Sequence, residues 1–286
     1  MRPHSRPLIA AHLLISGVLA AADPPLVRSV VSLDGGYVHD ERSRDGGSFD
    51  NDWQLAEARV FLRPHVALRL GLGVSVSREA YHSDDLDLPE DVRQAWLRVP
   101  VALMVHEHWG FTVQGSFGTG YGEDASASDG RQWQVQGGPL YYGGEDLIVA
   151  LMVNVSSRID DDPTIFPFPS LYWRFHPEWR LTVVDDVDNL SHLRWAVRED
   201  VDLGVRVDVR LREAALGENE AFSDDHVAMA LQATWMPRGR GHGEITPFIG
   251  AQLIRRLATR DDHGDEHWSL ITRPAPLIGL NLRAEF

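Results

Sequence analysis

The side chains best suited to chemistry in this chain are carboxylates and histidines. They gather in runs: Asp84-Asp85, Asp160-Asp161-Asp162, Asp224-Asp225 and Asp261-Asp262-His263-Gly264-Asp265-Glu266-His267. Carboxylate oxygens with imidazole nitrogens suit Ca²⁺ or a transition metal, but none of the runs has EF-hand or H-E-x-x-H spacing. Solvated, mutually repelling acidic loops explain them as well. His106-Glu107-His108 sets two imidazoles on one side of a strand or turn without a third ligand. Ser191 and His192 are adjacent, so on a strand they point to opposite faces and form no nucleophile–base pair. The absence of Cys excludes thiol catalysis, Cys-based zinc sites and disulfides. There is no G-x-S-x-G, P-loop or strand-to-helix G-x-G-x-x-G. No catalytic, cofactor-binding or metal-binding residue is assigned, no cofactor is expected, and the chain does not read as an enzyme.

A second set of charges is distributed differently, one residue in two along long segments. Val201, Leu203, Val205, Val207, Val209 and Leu211 alternate with Asp202, Gly204, Arg206, Asp208, Arg210 and Arg212; Val66 to Ser77 and Phe111 to Tyr121 alternate in the same way. Period-2 alternation over ten or more residues is a strand with one apolar and one polar face. Strands in soluble proteins run about 5 to 6 residues, whereas a bilayer-crossing strand needs about 9 to 11. A lipid-facing band around a polar lumen accounts for many such strands at once. By parity the lumen-facing set is Glu57, Arg59, Arg69, Arg98, Arg174, Arg194, Arg198, Asp202, Arg206, Asp208, Arg210, Arg212, Arg283 and Glu285. Such charges either tune ion selectivity in a channel or pair into ladders that fill and stiffen the interior; both roles stay open.

The predicted fold is all-β, a closed antiparallel transmembrane β-barrel of about 14 strands. The strands cover residues 26–38, 53–63, 65–77, 92–105, 109–121, 131–142, 146–157, 166–176, 178–185, 190–198, 200–212, 225–236, 244–257 and 273–286. Two strands in 166–198 would lower the total to about 12. Long acidic connections (His39–Asp52, Arg78–Asp91, Gly122–Gly130, Arg158–Ile165, Glu213–Asp224, Ala258–Thr272) alternate with short ones such as Arg63-Pro64-His65, matching outer loops and tight turns. Aromatics gather near strand ends, among them Trp109, Tyr141, Trp173, Trp179 and Trp235, as interfacial girdles do. Trp53 and Trp96 fall on the polar parity and read as packed inside. Pro100 is the discordant residue, because proline removes a ladder donor in mid-strand.

The 286 residues carry 27 Lys+Arg against 42 Asp+Glu, a formal charge of −15 with pI near 5.2, which argues against a nucleic-acid partner. Residues 1–22 have a basic start (Arg2, Arg6), an apolar stretch from Leu8 to Leu19 and an Ala20-Ala21-Ala22 cleavage site, the pattern of a secretory signal peptide. The mature barrel is then 23–286, which holds no apolar run of the length a membrane-spanning helix needs.

The chain ends Ile278-Gly279-Leu280-Asn281-Leu282-Arg283-Ala284-Glu285-Phe286. An amphipathic last strand closing on a carboxy-terminal Phe resembles the signal by which bacterial outer-membrane porin-like barrels are recognised by their assembly machinery, which implies Phe286 as that signal. Around Ile159–Pro167 and Leu171–Leu181 the chain resembles an uncharacterised family of outer-membrane β-barrels, a domain of unknown function. That resemblance implies the bacterial outer membrane as location and outer-membrane lipid and the assembly machinery as partners, but no activity. The expected function is a porin-like passive channel for small polar solutes. The alternatives are a non-conducting surface barrel whose acidic outer loops bind a cation or partner, and a lipid-modifying enzyme, for which the Ser/His/acid set is missing.

Overall fold

A computed structural model describes residues 27–286 except 45, 160–162, 185–189, 218–219, 238–241 and 262–264. The proposed signal peptide, Asp160-Asp161-Asp162 and part of the 261–267 run lie outside the described residues. The fifteen strand segments are β1 (Val27–Arg42), β2 (Ser48–His65), β3 (Leu68–His82), β4 (Asp91–Met104), β5 (Trp109–Tyr121), β6 (Arg131–Tyr142), β7 (Leu147–Ser156), β8 (Thr164–His176), β9 (Trp179–Val183), β10 (Leu190–Ala196), β11 (Val201–Gly217), β12 (Glu220–Trp235), β13 (Gly243–Asp261), β14 (Glu266–Ile271) and β15 (Ala275–Glu285).

Each segment pairs antiparallel with its sequence neighbour from β1 to β13, and the circle closes because β15 pairs with both β13 and β1. β14 pairs with the upper part of β13, and Thr272 bridges to Ser43. β14 and β15 are therefore one stave broken at residues 272–274, where Pro274 has no N–H to give. The result is a closed barrel of fourteen staves.

The alternation sorts side chains as lipid requires. Along β3, Val76 is 59% exposed on the outer face while Ser75 is 4% exposed inside. Leu72, Val74, Leu231, Ile249 and Ile278 share the outer face, and Glu57, Gln114, Thr246 and Asp202 the inner one. At the turn end an outward aromatic belt runs round the wall: Trp109 lies edge-on to Tyr141 at 5.0 Å, and Trp179 stacks on Trp195 at 5.7 Å. The seam is fastened to the last residue, since the Ser29 and Phe286 amides each donate to the other's carbonyl at 3.0 Å.

Several long connections are shorter than the sequence suggested. β1 and β2 run on to Arg42 and Ser48, β11 and β12 to Gly217 and Glu220, and β13 and β14 to Asp261 and Glu266. Beyond the apolar band the outer face meets water, so the apolar half of the alternation lapses while the ladder hydrogen bonds continue. Pro100 also finds its reason. The β3–β4 register passes from Leu70↔Val101 to Gly73↔Arg98, so Pro100 sits where that ladder lapses. Its ring covers Gly71, where a Cβ would fall 2.6 Å from Pro100 Cγ.

Among the described residues the wall is uneven in height. β11, β12 and β13 have 17, 16 and 19 residues, whereas β9 and β10 have 5 and 7. Among the described residues β10 pairs with β11 as far as Asp208. Above that level β11 leans across the mouth: the Gly122 amide donates to the Ala215 carbonyl at 2.8 Å, and Ala215 aligns parallel with Tyr121 of β5.

Candidate functional site

The inner faces of the staves divide the interior into a packed part and a chamber. In the packed part the side chains of β11–β13 cross to β1–β3. Arg255 of β13 has no exposed side-chain surface; it donates to Asp224 Oδ1 at 2.8 Å, Glu79 Oε1 at 2.6 Å and Glu41 Oε2 at 3.2 Å. Tyr81 donates to Asp224 at 2.7 Å, Thr272 to Glu41 at 2.6 Å, and Arg212 also contacts Glu79. Arg, with its planar fork of five donors, suits such a cluster better than a point-charged ammonium. Glu79, Asp224 and His226 lie close enough together to share an ion. The Arg255 guanidinium already holds both carboxylates, so the trio is a salt-bridge cluster rather than a metal centre. The sequence had placed Asp224-Asp225 in an outer loop; β12 instead carries Asp224 inside.

At mid-height Arg206 and Arg210 reach Asp34 of β1 at 3.5 and 3.7 Å, and Arg210 also pairs with Asp208 at 2.7 Å. The two guanidinium carbons lie 4.0 Å from the centre of the Phe248 ring and 5.4 Å from that of Trp53. The cavity left among these groups is about 10 Å³, about the minimum that admits one water.

Nearer the turn end, Arg194 pairs with Glu244 at 3.1 Å, Arg180 with Asp202, and Arg28 and Arg283 with Glu285 at 2.6 and 3.0 Å. Glu57 receives Arg59 at 2.7 Å and Arg98 at 3.0 Å. Arg69 sits inside near Tyr142. Two of the charges singled out by parity lie elsewhere. Arg198 is 71% exposed in the turn after β10, paired with Asp200, because β10 stops at Ala196. Arg174, one-third exposed at the rim, pairs with Asp146.

The chamber, about 380 Å³, lies against β2–β8 and the inner face of β11. Register places its lining in rows across adjacent staves. Ser75, Trp96, Gly118 and Gln132 form one row. Arg98, Ser116, Gln134, Ser156 and Thr164 form the next, and Gln114, Gln136, Asn154 and Phe166 a third. Parity had marked charged residues only; glutamines on the inward parity of Gln132-Trp133-Gln134-Val135-Gln136 carried the missed signal. The Gly-rich run 117–122 fits this geometry. A Cβ at Gly118 would lie 2.4 Å from Trp96 Cδ2, and one at Gly120 2.4 Å from the Glu213 carbonyl oxygen.

Glu213 spans the chamber's outer end. Its carbonyl accepts from Gln94 at 3.0 Å and Gln132 at 2.9 Å, and its carboxylate from Arg158 at 2.7 Å and the Ile159 amide at 3.2 Å. The neighbouring loop is held by Ser126, whose hydroxyl and amide donate to Asp129 and keep that carboxyl below its usual pKa. Toward the turn end β6–β8 turn apolar inside, with Leu140, Tyr142, Ile148, Met152 and Tyr172 packed together. At the loop end a separate acidic vestibule of about 670 Å³ includes Asp50, Asp84, Asp85, Glu90, Asp91 and Glu123.

The remaining motifs stay apart. Ser191 Oγ accepts from the Val184 amide while His192 is buried inside, so the pair points to opposite faces. His108 bonds to the Tyr142 carbonyl oxygen at 2.9 Å, in the turn after β4.

Neither a protein-family model nor a curated protein sequence matches the chain; the likeness around Ile159–Pro167 and Leu171–Leu181 to an uncharacterised family thus has no family match behind it. Solved structures do match. The COG4313 outer membrane channel from Pseudomonas putida F1 superposes with a TM-score of 0.50 at 12% identity, covering 94% of this chain and 100% of that one. The toluene transporter TodX of P. putida gives 0.46 at 9% identity over 92% and 90%, and LpxR from Salmonella typhimurium 0.35 at 8% over 89% and 99%. The fold is that of an outer-membrane β-barrel. At such identities the likeness concerns the fold alone, and the barrel's interior has to speak for its function.

Proposed function

We propose that this barrel is a narrow, non-enzymatic outer-membrane channel for small polar solutes, and that the chamber beside β2–β8 is its route. Residues 1–22 would direct export, and Phe286 would present the last strand to the barrel assembly machinery. The observation that carries the reading is the division of the interior. Ion pairs fill the part between β11–β13 and β1–β3, where the cavity among Arg206, Asp208 and Arg210 holds about 10 Å³, while a chamber of about 380 Å³ stays unfilled on the other side. The charges read as lumen-lining serve mainly to pair with one another, so selectivity would rest on the chamber's neutral side chains. A sealed barrel is the second reading, favoured by the β11–β5 bridge and the apolar packing toward the turn end. Planar-bilayer recording tests the pair. Small, discrete conductance steps are expected from purified protein; silence there and in liposome swelling assays would leave the sealed barrel.

A further inference from the structure

We infer that the chamber is a binding site for neutral polyhydroxylated solutes, of the size of a mono- or disaccharide. It rests on the channel reading only for how such a solute reaches it. Five of the chain's eight glutamines line this one space. A carboxamide offers two donors and a two-lone-pair acceptor in one plane. Gln94 and Gln132 spend one donor each on the Glu213 carbonyl and Gln134 one on Asn154, and the remaining capacity on adjacent staves forms a grid that meets hydroxyls in either role. Ser75, Ser77 and Ser156 add hydroxyls of their own.

The chamber gives a charged solute little to bind. Arg98 is held by Glu57 and Ser75, Arg210 by Asp208, Arg212 by Glu79, and Arg158 and Arg260 by Glu213. Each of these guanidiniums is already engaged by a carboxylate, although Glu57, Glu79 and Glu213 are each shared between two arginines. An ion would therefore shed water and have to compete with an existing partner, a loss that a neutral solute avoids. A hydrocarbon fares badly for the opposite reason, since it would strip water from the amides and leave them unpaired.

Aromatic faces complete the complementarity. Trp96 lies against the wall over Gly118, the one row position where a missing Cβ makes room for it. Phe166 supplies a second ring from β8. A pyranose presents hydroxyls round its edge and C–H bonds on its faces, which suits amide edges together with aromatic planes. The volume falls within the range of about 300–1,000 Å³ typical of small-molecule pockets.

The test is isothermal titration calorimetry on the mature chain in detergent micelles, with maltose, glucuronate and toluene as probes. Maltose is expected to bind saturably at one site and glucuronate at least tenfold more weakly, with no saturable heat from toluene. Trp96→Leu and Gln134→Leu should each weaken maltose at least tenfold while heat-modifiable gel migration persists. Should either fail to fold, Gln134→Glu keeps the shape, adds a charge and should weaken binding equally. No saturable maltose binding, glucuronate binding as tightly, or folded variants that bind like the parent would overturn the inference. Binding without bilayer conductance would support the site and remove the channel reading. Conductance steps without maltose binding would keep the channel and overturn the site.

Discussion

The bridge from β11 to β5 can be loosened without touching the wall. Gln94 and Gln132 converge on the Glu213 carbonyl at 3.0 and 2.9 Å, and replacing both with Leu removes two side-chain hydrogen bonds while keeping similar bulk. A net contribution of about 1 kcal/mol per bond gives about 2 kcal/mol, or about a thirtyfold shift toward the undocked hairpin. Docking would not vanish, because Arg158 still reaches the Glu213 carboxylate and the Gly122 amide still reaches Ala215. The Gly122 amide is the natural reporter, since its partner lies across the mouth rather than on a neighbouring stave. Hydrogen exchange followed by NMR in micelles should show Gly122 exchanging about thirtyfold faster in the double variant. Amides of the β4–β5 ladder should keep the parent rate, because local opening and global unfolding are separate processes. An unchanged rate at Gly122, with the ladder intact, would refute the view that these glutamines hold the hairpin down.

Three further variants test the wall, the ion-pair cluster and the seam. Val74→Arg puts a charge amid the outward Leu72 and Val76 and should cost about 2–4 kcal/mol in lipid vesicles by urea unfolding, against under about 0.5 kcal/mol if water wetted that face. Arg255→Met strands Glu41, Glu79 and Asp224 together, so it should destabilise by about 3–5 kcal/mol, read as a lower urea midpoint; a variant as stable as the parent would show that the cluster carries no such strain. Deleting Phe286 removes both hydrogen bonds to Ser29 and should reduce cellular yield of heat-modifiable protein more than refolding into vesicles, an outcome reversed if the residue serves the seam alone.

What the sequence revealed was governed by the solvent on each face. Where hydrocarbon lies outside and polar side chains inside, as along residues 66–77 and 200–212, parity alone gave staves, faces and inward charges. Above the lipid both faces turn polar or mixed, so strands such as β12 were read as starting at 225, five residues late. Pro100 is discordant in the sequence because its compensation, Gly71, belongs to another stave and is visible only through register.

The site was harder to read for a related reason. Charges draw attention in a sequence, yet the inward charges of this barrel are taken up in ion pairs, some with a neighbour two residues away, as Arg210 with Asp208, and others far off in the chain, as Arg255 with Glu41 and Glu79. Such pairing neutralises the residues most easily noticed and fills the space between β11–β13 and β1–β3. What stays unfilled is lined by glutamine, serine and tryptophan, residue types that carry no motif singly and gain meaning only when antiparallel register brings Gln114, Gln136 and Asn154 into one row. Selectivity here follows from which inward groups the ion-pair network leaves over, and that remainder is set by topology rather than by any local run of residues.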